Sequence, residues 1–100
     1  MKKYITIAMF LATMLSSAQI KLTGIVKDST GVLEMANVIA LDTVTKKIVS
    51  YGFTDDNGLY KLDLKKNAIY NIKISYIGLK SVDDFIKTTD VDLVKNYTME

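Results

Sequence analysis

Apolar and polar residues alternate with a period of two along residues 70–76, and this pattern constrains the chain more than anything else it carries. Tyr70, Ile72, Ile74 and Tyr76 fall on one side, and Asn71, Lys73 and Ser75 on the other. A strand with one face in a core and one in water gives this spacing; a helix does not. The first such run is looser, with Ile20, Leu22 and Val26 set against Lys21, Thr23 and Lys27 and Gly24 between them. Ile48–Phe53 groups Val49, Tyr51 and Phe53, and residues 59–64 group Tyr60, Leu62 and Leu64. Residues 36–41 are apolar on both faces, which suits a central strand. Val82–Lys87 is the least regular run, because Asp83-Asp84 breaks the alternation. In the last run Val91, Leu93, Tyr97 and Met99 share a face that Lys95 interrupts.

Turn chemistry separates these runs. Asp28-Ser29-Thr30-Gly31, residues 42–47 and Asp55-Asp56-Asn57-Gly58 are clusters of residues that bend the chain. Asn-Gly between strand-like runs predicts a hairpin, since both residues tolerate positive φ. Proline is absent, so glycine and Asx residues must set the turns. Six or seven short strands, spaced at roughly 8–12 residues, predict an all-β sandwich or small barrel.

The strands begin only after a segment of different character. Lys2 and Lys3 precede a 12-residue apolar run, residues 4–15, and Ser16-Ser17-Ala18 follows it. Charge, apolar stretch and small residues in that order are the layout of a secretory signal, with Ser16 at −3 and Ala18 at −1 of the cleavage point. A membrane-spanning helix needs about 20 apolar residues, more than this run supplies. The expected organisation is a signal peptide over residues 1–18 and one β-sandwich domain over 19–100.

Residues 1–18 hold two of the 13 basic residues and none of the 11 acidic ones, so the exported part is balanced at eleven of each sign. There is no arginine, and Lys46-Lys47 and Lys65-Lys66 are isolated pairs. Nucleic-acid binding needs a clustered positive surface and is not expected. The absence of cysteine removes both disulfide restraint and the thiol of a lipoprotein anchor. At this size the hydrophobic core alone must hold the fold.

Without Cys or His the chain lacks a thiol nucleophile, a Ser-His-Asp relay and a His/thiolate zinc site. Glu34, Asp55, Asp56, Asp83 and Asp84 are carboxylates expected in or near loops, where solvated turn residues are the ordinary reading. The 54–58 stretch has the oxygens of a calcium loop but neither its alternating acids nor its distant bidentate Glu. Asn96-Tyr97-Thr98 matches a glycosylation sequon within a strand-like run. Tyr60, Tyr70 and Tyr76 are expected in the core, with hydroxyls at its rim. No catalytic, cofactor-binding or metal-ligating residue is therefore assigned, and no cofactor is expected.

Four pieces, in order, resemble the carboxypeptidase-regulatory-like domain. They are Gly24-Ile25-Val26-Lys27-Asp28 with Gly31, then Ala36-Asn37-Val38, then Thr54-Asp55-Asp56-Asn57-Gly58-Leu59-Tyr60, then Ser75-Tyr76-Ile77-Gly78. The resemblance covers residues 20–98. It implies a transthyretin-like (Ig-like) sandwich of about seven strands and an accessory role without peptidase activity. The motif residues read as structural: Gly24 and Gly78 for close approach or a bend, Ala36 where the sheets meet, Thr54 and Asp55 for a turn. Residues 32–35 depart from the family, which usually has proline and often glycine there.

A signal peptide leading into such a domain is similar to the start of many Bacteroidetes outer-membrane receptors, where the domain precedes a plug and a TonB-dependent barrel. One hundred residues cannot supply that barrel, whose strands need about 9–11 residues each and number at least about eight. The ending on a strand-like run suggests an N-terminal piece of something longer. The expectation is a non-catalytic accessory domain at the periplasmic face of the outer membrane, contacting the remainder of a receptor or envelope protein. Membrane association would come only through parts beyond this chain. The alternative is a free-standing secreted or periplasmic binding module for a glycan or surface partner.

Overall fold

The computed structural model describes residues 19–100, so the expected signal peptide, residues 1–18, lies outside the described residues. Nine strands form two sheets, with no helix among the described residues. They are β1 (Gln19–Asp28), β2 (Gly31–Val32), β3 (Asn37–Asp42), β4 (Ile48–Phe53), β5 (Leu59–Lys65), β6 (Ile69–Ser75), β7 (Val82–Lys87), β8 (Leu93–Val94) and β9 (Tyr97–Thr98). Each alternating run of the sequence became a strand. The number rises above seven because β2 was not anticipated and the last run divides into β8 and β9.

The first sheet is built around β1. Its first part pairs antiparallel with β5, from Gln19↔Lys65 to Ile25↔Leu59. Its end folds into a hairpin with β2, and the chain terminus returns to run parallel along it as β8 and β9. The second sheet is antiparallel throughout in the order β4-β3-β6-β7. Ile20, Leu22 and Val26 of β1 face Val38 and Ala40 of β3 and Ile72 and Ile74 of β6 in a single core. Burying each large aliphatic side chain contributes about 1.5–3 kcal/mol, the main source of stability in a domain without disulfides.

Aspartates organise the turns that proline does not. Asp28 Oδ1 accepts from the N–H groups of Thr30 and Gly31 and from the Thr30 hydroxyl. Asp42 Oδ1 accepts from Val44 and Thr45 N–H. These bonds favour the charged form and hold both carboxyls below the usual range, the Thr30 hydroxyl leading for Asp28 and the Thr45 N–H for Asp42.

Several expectations are corrected. The 55–58 turn does not close a hairpin, because β4 and β5 belong to different sheets and the turn carries the chain between them. Gly58 (φ 75°) and Asp55 do reverse the chain, with Asp55 Oδ1 accepting from Asn57 and Leu59 N–H. Reversal is a local event. Pairing is decided by which strand each segment meets, and β4 meets β3. Asp83 and Asp84 lie within β7, where an edge position leaves both carboxylates access to solvent and partners. Tyr76 lies past the end of β6 and is 37% exposed, so the alternation that places Tyr70 and Ile72 inside no longer governs it. Val91 is likewise exposed, at 68%, and precedes β8.

Candidate contact surface

Three of the four motif pieces converge at one end of the second sheet. Asn37 sits opposite Phe53 on one side and opposite Ser75 on the other, although the three are far apart in sequence. The loop that enters β3 is fastened there by Thr54, which is fully buried. Its hydroxyl donates to the Leu33 carbonyl at 2.6 Å and accepts from the Ala36 N–H at 2.8 Å. Its backbone N–H donates to the Ala36 carbonyl, and its carbonyl accepts from Met35 N–H. Four bonds to one residue hold residues 33–36 against the sheet.

Within that clamp Met35 adopts φ 64°, a left-handed conformation that costs an L-residue about 1–2 kcal/mol. The result is an outward Met35 side chain beside the 75–78 turn. Gly78, at φ 84°, lets that turn reverse and leaves Ile77 96% exposed at its tip. Met35, Tyr76 and Ile77 line two adjoining open depressions of about 370 and 340 Å³, the first also bounded by Asn37 and Ser75 and the second by Glu34. An almost wholly exposed isoleucine beside an exposed methionine and tyrosine is a cluster of the kind that marks contact sites.

The apolar surface continues along the outer face of the same sheet. Val38 and Ala40 face inward, so Ile39 and Leu41 face outward. Ile39 lies opposite Tyr51, which is 70% exposed, and Leu41 lies opposite the exposed Ile48. Tyr51 and Phe53 thus share the face turned to solvent, while the register shift after Ala40 puts Ile48 on that face and leaves Val49 beside Leu64 and Tyr70.

The carboxylates are dispersed. Asp55 is engaged by its own turn, and Asp56 and Glu34 are exposed on separate loops. Asp83 and Asp84 are adjacent on one strand and point to opposite faces. Asp83 pairs with Lys73 at 3.9 Å; Asp84 lies 3.9 Å from Lys95 and accepts the Tyr97 hydroxyl at 2.9 Å. Among the described residues no group of three or more acidic side chains is placed to hold a metal ion. Asn96 Oδ1 accepts from Ile25 N–H, which places the sequon asparagine in the strand network.

Tyr60 and Tyr97 pack with ring centroids 6.4 Å apart, and Tyr60 donates to the Lys95 carbonyl at 2.5 Å. Burial raises both phenol pKa values well above the ordinary range. The nearby Asp84 charge adds to the shift, and for Tyr97 so does its hydrogen bond to Asp84. Both tyrosines are structural links between the chain terminus and the rest of the sandwich.

Sequence reasoning did not single out Met35 or Ile77, and it placed Tyr76 in the core. The available signal was at Ile77-Gly78, where a large apolar residue stands next to a glycine just after the alternation stops. The exposure of Met35 had no sequence signal, since it depends on Thr54.

The fold and this surface define a small all-β sandwich with an exposed apolar end. No protein-family model matches the chain, and no curated protein matches it either. Solved structures do. The Bacillus anthracis TIE protein superposes with a TM-score of 0.62 at 16% identity, over 82% of this chain and 17% of that one. S.CueP superposes with a TM-score of 0.57 at 15% identity, over 81% of this chain and 61% of that one. The chain therefore spans less than two thirds of either protein, and the likeness is one of fold.

Proposed function

We propose that this chain is a non-catalytic envelope domain that works by protein contact, of the carboxypeptidase-regulatory-like kind, at the N-terminal part of a TonB-dependent outer-membrane receptor. The observation that carries this reading is the convergence of three motif pieces on one end of the second sheet, with Met35, Phe53, Tyr76 and Ile77 exposed there. The motif residues build the platform, and the side chains they present are apolar and open. The secretory layout of residues 1–18 supports the location, and the order of the motifs supports the kind of domain.

Fractionation of native cells, probed with antibody against residues 19–100, tests the location. A band much heavier than 11.2 kDa in the outer membrane is expected. A small soluble band overturns the receptor reading in favour of a free binding module. Ile77→Asp tests the contact end, because a side chain this exposed can be changed without disturbing the core. Impaired uptake or assembly with normal protein levels is the expected result, and wild-type behaviour counts against the surface.

A further inference from the structure

The second sheet ends at β7, which has β6 on one side and no strand on the other among the described residues. The Thr88 N–H donates to the Ala68 carbonyl at 2.8 Å just beyond the β6–β7 ladder. In an antiparallel ladder hydrogen-bonded and non-hydrogen-bonded pairs alternate. With the register Ile69↔Lys87, Asn71↔Phe85 and Lys73↔Asp83, residues 82, 84 and 86 bond inward to β6. The N–H and C=O groups of Asp83, Phe85 and Lys87 then point out of the open edge.

Charges on an edge strand ordinarily discourage pairing. Here their order has the opposite consequence. Asp83 and Lys87 stand two residues either side of Phe85, and all three side chains lie on the outer face. Two copies of β7 run antiparallel about Phe85 would set Asp83 against Lys87 of the other copy twice, with the two Phe85 rings adjacent. The same register brings the outward-pointing backbone groups of all three residues opposite one another. Shifting the centre to Asp84 opposes two carboxylates, and shifting it to Ile86 sets Phe85 against lysine and loses the charge match.

We propose that this chain self-associates through β7, in a two-fold antiparallel register centred on Phe85, joining the second sheets of two copies into one. Phe85 is 63% exposed in the single chain, and its ring is the apolar centre of the contact. The arrangement is isologous: each copy offers the same strand and receives the same strand.

The full chain, expressed with residues 1–18 present and purified as the cell leaves it, is examined by sedimentation equilibrium across a concentration series. A monomer–dimer equilibrium is expected. Asp83→Lys and Lys87→Asp each oppose like charges at two symmetric positions and should weaken association about tenfold. The double variant restores both pairs and should recover association to within about threefold of the unmodified chain. Phe85→Cys should give a disulfide-linked dimer on oxidation, since hydrogen-bonded pairs hold their Cα atoms about 5.5 Å apart. The chain has no cysteine of its own, so the link can only join two copies. Tyr51→Cys, on the opposite edge strand, should not link. A monomer at every concentration, indifference to the charge reversals, or equal linking through Tyr51→Cys overturns the proposal.

Discussion

The Thr54 hydroxyl donates to the Leu33 carbonyl at 2.6 Å, across 21 residues of sequence and entirely out of solvent. Thr88 makes a parallel arrangement at the other end of the sandwich, donating to the Lys65 carbonyl at 2.7 Å and accepting from Ala68 N–H at 2.9 Å. Each threonine fastens a loop that leads into a strand. Thr54→Val keeps the shape and strands two backbone groups in the interior, each costing about 1–3 kcal/mol. Urea denaturation should show a loss of about 2–4 kcal/mol, and Thr54→Ser should recover most of it. A loss for Ser with none for Val would mean that the methyl group, and not the hydroxyl, fastens the loop.

Gly24 is where Lys95 packs against β1. A Cβ there would run into the Lys95 carbonyl, a backbone atom held by Lys95 N–H donating to the Thr23 carbonyl at 2.8 Å. Tyr60 crowds the same point. Gly24→Ala should therefore destabilise by at least about 2 kcal/mol, as overpacking does. Hydrogen exchange should speed up first in β8 and β9. Unchanged protection there would show that the terminus can shift without loss.

Met35→Gly should do the reverse. Glycine takes φ 64° without strain, recovering about 1–2 kcal/mol, while its freer unfolded state takes back about 0.5–1. Met35 is exposed, so little packing is lost. A net gain of about 0.5–1 kcal/mol in the same denaturation assay is the expectation. A loss would show that the Met35 side chain packs on the loop more than its exposure suggests.

Tyr60 and Tyr97 predict a stability limit in alkali. Both have folded-state pKa values raised above the unfolded value of about 10, by burial first and by Asp84 second. A raised phenol pKa means that folding favours the neutral form. The stabilisation is complete below about pH 10 and is lost as pH rises from there toward the folded-state values. Melting temperatures between pH 7 and 11.5 should hold level and then fall above about pH 10. Tyr97→Phe should flatten that fall at a small cost at neutral pH. A limb as steep in the variant would assign it to other groups.

The candidate contact end divides into what was legible in the sequence and what was not. The turn at 54–58 and the strand over residues 70–75 could be read from Asx-Gly chemistry and from alternation, because both are governed by residues within a few positions of each other, although the alternation ran one residue too far, to Tyr76. Their meeting around Asn37 could not. The same limit explains Asp55-Asp56-Asn57-Gly58, which turned as its residues require yet joined different sheets. It also explains Asp83-Asp84, whose carboxylates meet Lys73, Lys95 and Tyr97 from other parts of the chain.

Period-two alternation, turn residues and the lack of proline, cysteine and histidine determined by themselves that this protein is made of short strands joined by Asx and glycine turns. Those are properties of φ, ψ and side-chain direction along a few consecutive residues. Which strands pair, which face of β4 meets water, and why Met35 stands outside were decided only by the tertiary structure. Each depends on a partner many residues away, and the alternation of one strand is the same whichever neighbour it finds.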